Sequence, residues 1–483
     1  MNNEFTTPEW VQHANFYQIF PDRFAKSESL VKPNHLESWD TPPTIYGYKG
    51  GDLVGVVERL DYLKDLGIDA IYFTPIFQSA SNHRYHTHDY LKVDPMLGGD
   101  AALELLLKEA HRHDIKIVLD GVFNHASRGF FQFNDILENG KASAYLDWFD
   151  IKGFPLHAYE GKPNYRCWMD LPALPEFNYA NPQVRDYIYK VARYWIDKGI
   201  DGWRLDVPFC VDDDAFWQGF REVVKQANPE AYITGEIATD ATRWLQGDQF
   251  DGVMNYLLTY ALWTFVGGEV LDVPLAGHWL SEGRGFISPD VETFSKNVEL
   301  LLQKYPQPAV QAQLNLLDSH DTARALSLFR GKKELLCLAV LFLYTYPGAP
   351  CIFYGDEIGL SGGQDPDCRQ PFPWDSSKWD LNLFAFYQRL IAIRKVSPAL
   401  RTGLYHTLFA QDGVLVFLRQ LAGESVIVVL NRSDRTIHLD VDVKGWIEDG
   451  VKLGAKLTLG EVQVQNGRLS GASVAPVSGA IFG

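Results

Sequence analysis

A (β/α)8 barrel followed by an all-β domain is the fold class this 483-residue sequence predicts. Three observations carry it. Short apolar runs of strand length alternate with amphipathic segments of helix length over most of the chain. The alternation continues for eight rounds, the number that closes a barrel, with an open doubly wound sheet as the competing arrangement. After about residue 400 the pattern changes to period-two strands.

The strand candidates, in order, are NFYQIFP (15–21), DAIYFTP (69–75), KIVLDGVFNH (116–125), GWRLDV (202–207), AYITGEI (231–237), GVMNY (252–256), QLNLLDSH (313–320) and CIFYGDE (351–357). Between them lie LVGVVERLDYLKDLG, DAALELLLKEAHRHD, NPQVRDYIYKVARYWIDKG and DAFWQGFREVVKQANPE, whose apolar residues recur at spacings of three and four. Gly67 and Gly199 stop two of these helices. Residues 126–178 are too long and too loop-like for a simple connection and predict a small inserted domain. The barrel is therefore expected over 1–125 and 179–400, with the insert at 126–178. Residues 401–483, with GVLVFLRQ, ESVIVVLNRS, TIHLDVDV and AKLTLG, predict an all-β sandwich.

Bulk properties remove several classes of function. A formal net charge of −17 opposes binding to nucleic acid or an anionic membrane and favours a neutral partner. The most apolar run, LLCLAVLFLYTYPGAPCIFY (335–354), is broken by Pro347, Gly348 and Pro350, so it predicts a helix, a turn and a strand instead of a membrane span. The opening MNNEFTTPEW has neither a basic region nor an apolar core of signal-peptide type. Five scattered cysteines without CxxC spacing point to reduced thiols, and the expected location is the cytoplasm.

In a (β/α)8 enzyme the reactive groups gather at the C-terminal ends of the strands. DGWRLDVPFC (201–210) places Arg204 and Asp206 on one face of a strand whose other face is Trp203, Leu205 and Val207. On that stretch alone, a register-fixing ion pair and a functional pair stand as equal readings. Other strands end the same way, however: Asp120, Asn124 and His125 on the third, Glu236 on the fifth, His320 and Asp321 on the seventh. A structural role accounts for any one of these, but poorly for all of them at one end of a barrel. Asp206, Glu236 and Asp321 suggest acid–base work of the kind glycoside hydrolysis needs, in which one carboxylate attacks and another protonates the leaving oxygen. Strands sit about 4.8 Å apart, which brings Asp206 and Glu236 to the short separation of retaining enzymes. Arg204 would hold Asp206 ionised, and Glu236 would need a raised pKa to act as the acid.

Taken in order, DGVFNH, DGWRLD, GEI and DSHD resemble the signature regions of the α-amylase family of retaining glycoside hydrolases. LPEFNYANP (174–182) resembles that family's short motif near the end of its inserted domain. GGQDPDCRQPFPW (362–374) and SNHRYHTHDY (81–90) are similar to the cyclomaltodextrinase, neopullulanase and maltogenic amylase branch. The resemblance runs from about Trp10 to the C-terminus and implies the barrel, the inserted domain, the β domain and action on α-linked glucans. It implies Asp206 as nucleophile, Glu236 as general acid/base and Asp321 as transition-state stabiliser. Arg204, His125 and His320 would bind the same glucose, with Tyr85 stacked on it and His83 as a further sugar contact. Asp365 and Arg369 would hold the next glucose on the non-reducing side. The expected reaction is hydrolysis of α-1,4 bonds in cyclodextrins or maltooligosaccharides, with some transglycosylation. A 4-α-glucanotransferase or an α-glucosidase is the alternative, and an inactive sugar-binding homologue the remote one.

The sequence also departs from its branch. The branch usually carries an N-terminal β domain, whereas here the first barrel strand begins near residue 15. Ala238 follows the GEI motif where a Trp is usual, which weakens the leaving-group platform. Phe209 and Cys210 follow the nucleophile in place of polar residues. They either bias the acceptor side toward sugars or pack beneath the loop. Asp22 and the GGD at 50–52 remain from the branch's calcium loop, with Asn124 as a further calcium candidate, but too few oxygen ligands are evident and no metal is expected to be required. His83, His86 and His88 can be drawn as a metal cluster, though sugar contacts suit their motif better.

Overall fold

The structure is a computed structural model and describes residues 5–483. The chain forms two compact units, one built mainly on 17–237 and 243–253, the other mainly on 254–483.

The first unit carries six short strands: β1 (Phe16–Ile19), β2 (Ala70–Phe73), β3 (Lys116–Gly121), β4 (Gly202–Leu205), β5 (Tyr232–Gly235) and β6 (Gly252–Val253). They lie side by side in the order β6-β5-β4-β3-β2-β1. The pairings from β2 to β6 are parallel, with Asp120 opposite Arg204 and Leu205 opposite Gly235. Strands buried on both faces read as continuous apolar runs, which is why four residues each suffice.

Helices cross between the strands. Over Pro182–Asp197, Asn181 caps the first turn by accepting from Gln183 N–H, and Val184, Ile188, Val191 and Trp195 form the buried stripe. Over Asp214–Ala227, Asp213 caps and Phe216, Trp217, Phe220 and Val224 are buried. Trp203 Nε1 donates to the carbonyl of Ala192 on the first of these helices (3.3 Å). The alternation of a strand then turns Arg204 to the opposite face, where its guanidinium meets Asp120. The predicted helix over 53–67 is two helices, Leu53–Val57 and Leu60–Leu66, the second closed by Gly67 in the left-handed conformation.

A hairpin, Phe77–Ser79 with Thr87–Val93, holds up the loop that carries His83 and Tyr85. Residues 126–178 contain one α-helix, Phe131–Asn139, three 3-10 turns and isolated bridges such as Phe149 to Phe177 and Ile151 to Tyr165. What packs this segment is aromatic: Phe133 meets Phe149 and Tyr165, and Phe149 stacks on Phe177.

The second unit contributes two more parallel strands, β7 (Leu314–Leu316) and β8 (Ala349–Phe353), with Met254 bridged to Leu314. The run 335–354 forms the helix Lys333–Thr345, a turn and β8, as the sequence predicts. Eight antiparallel strands follow: β9 (Leu404–Gln411), β10 (Val414–Leu421), β11 (Glu424–Asn431), β12 (Ile437–Asp442), β13 (Lys452–Leu457), β14 (Glu461–Gln465), β15 (Arg468–Val474) and β16 (Ser478–Phe482). Their order is β9-β10-β11-β16-β13-β14-β15-β12. Val416, Leu418 and Val429 share one core with Leu439, Val441, Val462 and Leu469, so both halves of this sheet bury the same apolar cluster. No helix among the described residues is long and apolar enough to cross a membrane.

Candidate active site

In the first unit, four carboxylate and guanidinium groups meet just past the ends of β3, β4 and β5. Arg204, fully buried, donates from Nη1 to Asp120 Oδ1 (3.0 Å) and Oδ2 (2.8 Å) and to Asp206 Oδ1 (3.3 Å). Its Nη2 pairs with Glu236 Oε2 at 2.9 Å. The register explains the meeting of the two outer carboxylates. Leu205 lies opposite Gly235, and Glu236 N–H donates to Leu205 O, so Asp206 and Glu236 are the next residues on adjacent strands. Just beyond, the chain turns sharply at Val207, whose φ is 36° and whose N–H donates to Glu236 Oε2 (3.2 Å).

Three carboxyls share one guanidinium here, an arrangement that favours retention of a proton within the cluster. Burial pushes the Asp120 carboxyl up to about 6 even though Arg204 pulls it down. Asp120 also accepts from Tyr85 Oη (2.9 Å) and Tyr72 Oη (3.1 Å). It is therefore the fixed centre of the cluster. Asp206 and Glu236 retain 8% exposure each.

The surrounding groups come from the loops. His83 Nδ1 accepts from Tyr85 N–H (3.2 Å), and the two rings lie 5.7 Å apart. His125 stacks on Trp168 from the inserted segment at 5.5 Å. Burial, reinforced by His86, drives the His125 imidazole down to about 3, so it is a neutral hydrogen-bonding group. Phe209 is 48% exposed and so does not pack beneath its loop. Burial pushes the Cys210 thiol up to about 11, which makes it an inert filler and not a thiolate. A cavity of about 710 Å³ opens beside this segment, among Asn124, Asp147, Asp150, Cys210 and Asp213.

The second unit gathers the other predicted residues. Arg369 Nε donates to His320 O (2.8 Å), Nη2 lies 3.4 Å from Asp321 Oδ1, and Nη1 lies 3.1 Å from Asp365 Oδ1. His320 Nε2 is 3.2 Å from Asp321 Oδ2. Behind this group, Arg324 is fully buried, pairs with Asp356 at 2.7 Å and donates to Cys368 O (2.9 Å). Asp356 and Asp318 are hydrogen-bonded to each other. Burial, then the neighbouring Asp318, pushes Asp356 well above the usual carboxylate range, so Asp356 carries the shared proton.

Two of the calcium candidates, Asp22 and Asp52, are held by donors of this chain. Asp22 accepts from Lys49 N–H and Gly50 N–H and pairs with Arg23. Asp52 accepts from Ser27 N–H and Gly55 N–H and pairs with Lys32. Each carboxylate thus meets three donors, two backbone N–H groups and one cationic side chain. No group of three or more His, Cys, Asp or Glu residues poised for a metal occurs among the described residues, and His83, His86 and His88 form none.

Sequence reasoning passed over Asp120 as a site residue, although it ends a strand with its neighbours, because one Asp in KIVLDG gives no sign of four partners. Trp168 was also missed, as nothing in CWMDL points to His125.

Residues 18–403 match the α-amylase catalytic domain, and residues 405–483 match the C-terminal domain of neopullulanase-like proteins. The chain belongs to the α-amylase family. Its eight parallel strands are accordingly those of a (β/α)8 barrel, followed by an antiparallel β domain. A cyclomaltodextrinase from a Bacillus species is 44% identical over 438 residues, spanning 90% of this chain and 75% of that one. The solved structure of Ttha1563 from Thermus thermophilus superposes with a TM-score of 0.93 at 47% identity, covering 98% of this chain and 99% of that chain. A debranching enzyme from Nostoc punctiforme gives a TM-score of 0.90 at 46% identity, covering 99% and 100%.

Proposed function

We propose that this α-amylase family member is a retaining α-glucan hydrolase acting on α-1,4 bonds of cyclodextrins and maltooligosaccharides. The observation that carries this reading is the single guanidinium of Arg204 holding Asp206 and Glu236 on adjacent strand ends. It is supported by the 44% identity to a cyclomaltodextrinase.

In the first step a carboxylate oxygen of Asp206 bonds to the anomeric carbon from the face opposite the leaving oxygen. The glycosidic C–O bond breaks as Glu236 delivers its proton to that oxygen, and the leaving chain departs with a free hydroxyl. In the second step Glu236, now a carboxylate, takes a proton from water. The water oxygen bonds to the anomeric carbon, and Asp206 is released as a carboxylate. Two inversions give net retention. A sugar hydroxyl in place of water gives transglycosylation, and the half-exposed Phe209 beside the nucleophile favours such an acceptor.

Arg204 keeps Asp206 ionised before its attack and favours its release as a carboxylate. We assign the stabilisation of the distorted transition state to Asp321, held by Arg369 and His320. The sugar contacts fall to His83, Tyr85 and His125, and those of the next glucose to Asp365 and Arg369. No step passes through a metal ion.

A second reading, cleavage of α-1,6 branch points, is favoured by the end-to-end correspondence with the debranching enzyme. Chromatographic product profiles on γ-cyclodextrin, maltoheptaose and pullulan, with Asp206→Asn as control, decide between them. Ring opening to maltose and glucose supports the first reading. Maltotriose released from pullulan, the product of α-1,6 cleavage, with an untouched ring supports the second, and longer chains from maltoheptaose indicate a transferase.

A further inference from the structure

The reacting groups are not the only feature of the first unit built to face a ligand. Tyr46 is 89% exposed and its neighbour Ile45 59%. Isolated exposed apolar residues are ordinary on protein surfaces. Here, however, the backbone that carries the pair is braced from several directions. The Nδ2 of buried Asn82 donates to the carbonyls on both sides of Tyr46, Ile45 O (2.9 Å) and Gly47 O (2.8 Å). Arg23 Nη2 donates to Gly47 O as well (2.9 Å), and Thr44 Oγ1 accepts from Gly47 N–H (3.0 Å). Lys49, whose side chain is fully buried, reaches the carbonyls of Ser38 and Thr41 at 2.7 Å each and fixes the preceding run. The result is an aromatic face held out in water by a backbone with little freedom left, so that binding against it costs little ordering entropy.

Its position gives this platform a purpose. Asn82 is the residue before His83 and three before Tyr85, whose hydroxyl donates to Asp120 in the Arg204 cluster. The 44–48 segment follows β1 and the 81–86 loop follows β2, whereas residues 207–211 follow β4. With strands in the order β6-β5-β4-β3-β2-β1, the 44–48 segment follows a strand two places from β3 and three from β4, the strand that residues 207–211 follow.

We infer that Tyr46, with Ile45, is a stacking platform for an outer glucosyl unit of the α-glucan chain, beyond the unit held at Tyr85 and on the side away from residues 207–211. A glucosyl ring offers an apolar C–H face of the size of a tyrosine ring, and stacking removes both from water. The inference rests on the α-glucan hydrolase reading and adds a chain-length preference to it.

The test is kcat/KM on maltotriose and on maltoheptaose for the wild type, Tyr46→Ala and Tyr46→Phe. Tyr46→Ala is expected to lose about tenfold on maltoheptaose, through KM, and to stay within about twofold on maltotriose, the scale of one lost aromatic contact. Tyr46→Phe keeps the ring and is expected to keep the preference. An equal loss on both substrates, or none on maltoheptaose, overturns the platform. A wild type that cleaves neither substrate instead overturns the hydrolase reading on which it rests.

Discussion

Arg204 and Arg324 are both fully buried, and each is surrounded by carboxyl groups, yet the two surroundings serve opposite ends. Around Arg204, Asp120 is enclosed, and the same guanidinium also meets Asp206 and Glu236, which end adjacent strands. Around Arg324, Asp318 and Asp356 are closed in against each other and share a proton, and the arginine's Nε is spent on the carbonyl of Cys368. The first arrangement gathers three carboxyls from three neighbouring strands on one guanidinium. The second pairs a protonated carboxyl with its neighbour and ties two loops together. A buried arginine among carboxylates therefore marks a functional site only where the carboxylates end adjacent strands in the geometry a reaction needs.

The largest effect that separates the two clusters is expected at Asp206. Asp206→Asn should lower kcat on maltoheptaose at least about a thousandfold, because the amide cannot form the glycosyl ester. The same change removes one of three carboxyls crowding one guanidinium, so the variant should melt no lower than the wild type. A marked fall in melting temperature would make the Arg204 cluster a structural rivet like the other.

At Arg324 the expectation is reversed. Asp356→Ala leaves Arg324 and Asp318 buried without their bridge and should cost about 3–5 kcal/mol of stability in denaturant titration. Asp356→Asn retains the shape of the protonated acid, with an N–H to donate to Asp318 and an oxygen for Arg324, and should cost less than about 1 kcal/mol. If the amide is as damaging as alanine, Asp356 is not the proton carrier.

The smallest effect concerns His125. Its folded pKa of about 3 lies below the unfolded value, so between about pH 6.5 and 3 the unfolded chain takes up a proton that the folded chain refuses. Stability from this group is complete above pH 6.5 and is lost as the pH falls. At about 1.36 kcal/mol per unit the loss reaches about 2 kcal/mol by pH 5. His125→Gln should flatten the acid limb of the melting-temperature profile by that amount. His86 and His88, also pushed down by burial, keep their own share. An unchanged limb would mean that His125 titrates normally.

Legibility in the sequence followed how local the determining forces are. The barrel strands were readable because burial on both faces makes them apolar throughout. The β6 candidate GVMNY shrank to two residues, because Asn255 caps the helix Tyr256–Gly267 by accepting from Leu258 N–H and donates to Asn315. In the C-terminal domain, EVQVQ, RLSGASV and SGAIF were not recognised as strands. They are short or interrupted by Gly and Ser, and their few apolar residues, such as Val462, Leu469 and Phe482, join a core assembled by pairing across the sheet. The Arg204–Asp206 pair was visible in two-residue periodicity, and Glu236 as a polar residue ending the fifth strand. Asp120 needed the register to place it opposite Arg204. The brace beneath Tyr46 joins residues 37 and 35 positions apart, beyond any local pattern.

The central claim, that Asp206 is the nucleophile of a double displacement, is tested most directly by trapping the ester. Glu236→Gln lacks the proton donor and the base but still accepts α-maltosyl fluoride, whose leaving group needs no protonation. The glycosylated enzyme should accumulate, and peptide mass mapping should place one maltosyl group on Asp206. Fluoride release without an adduct, or an adduct on another carboxylate, would contradict the account.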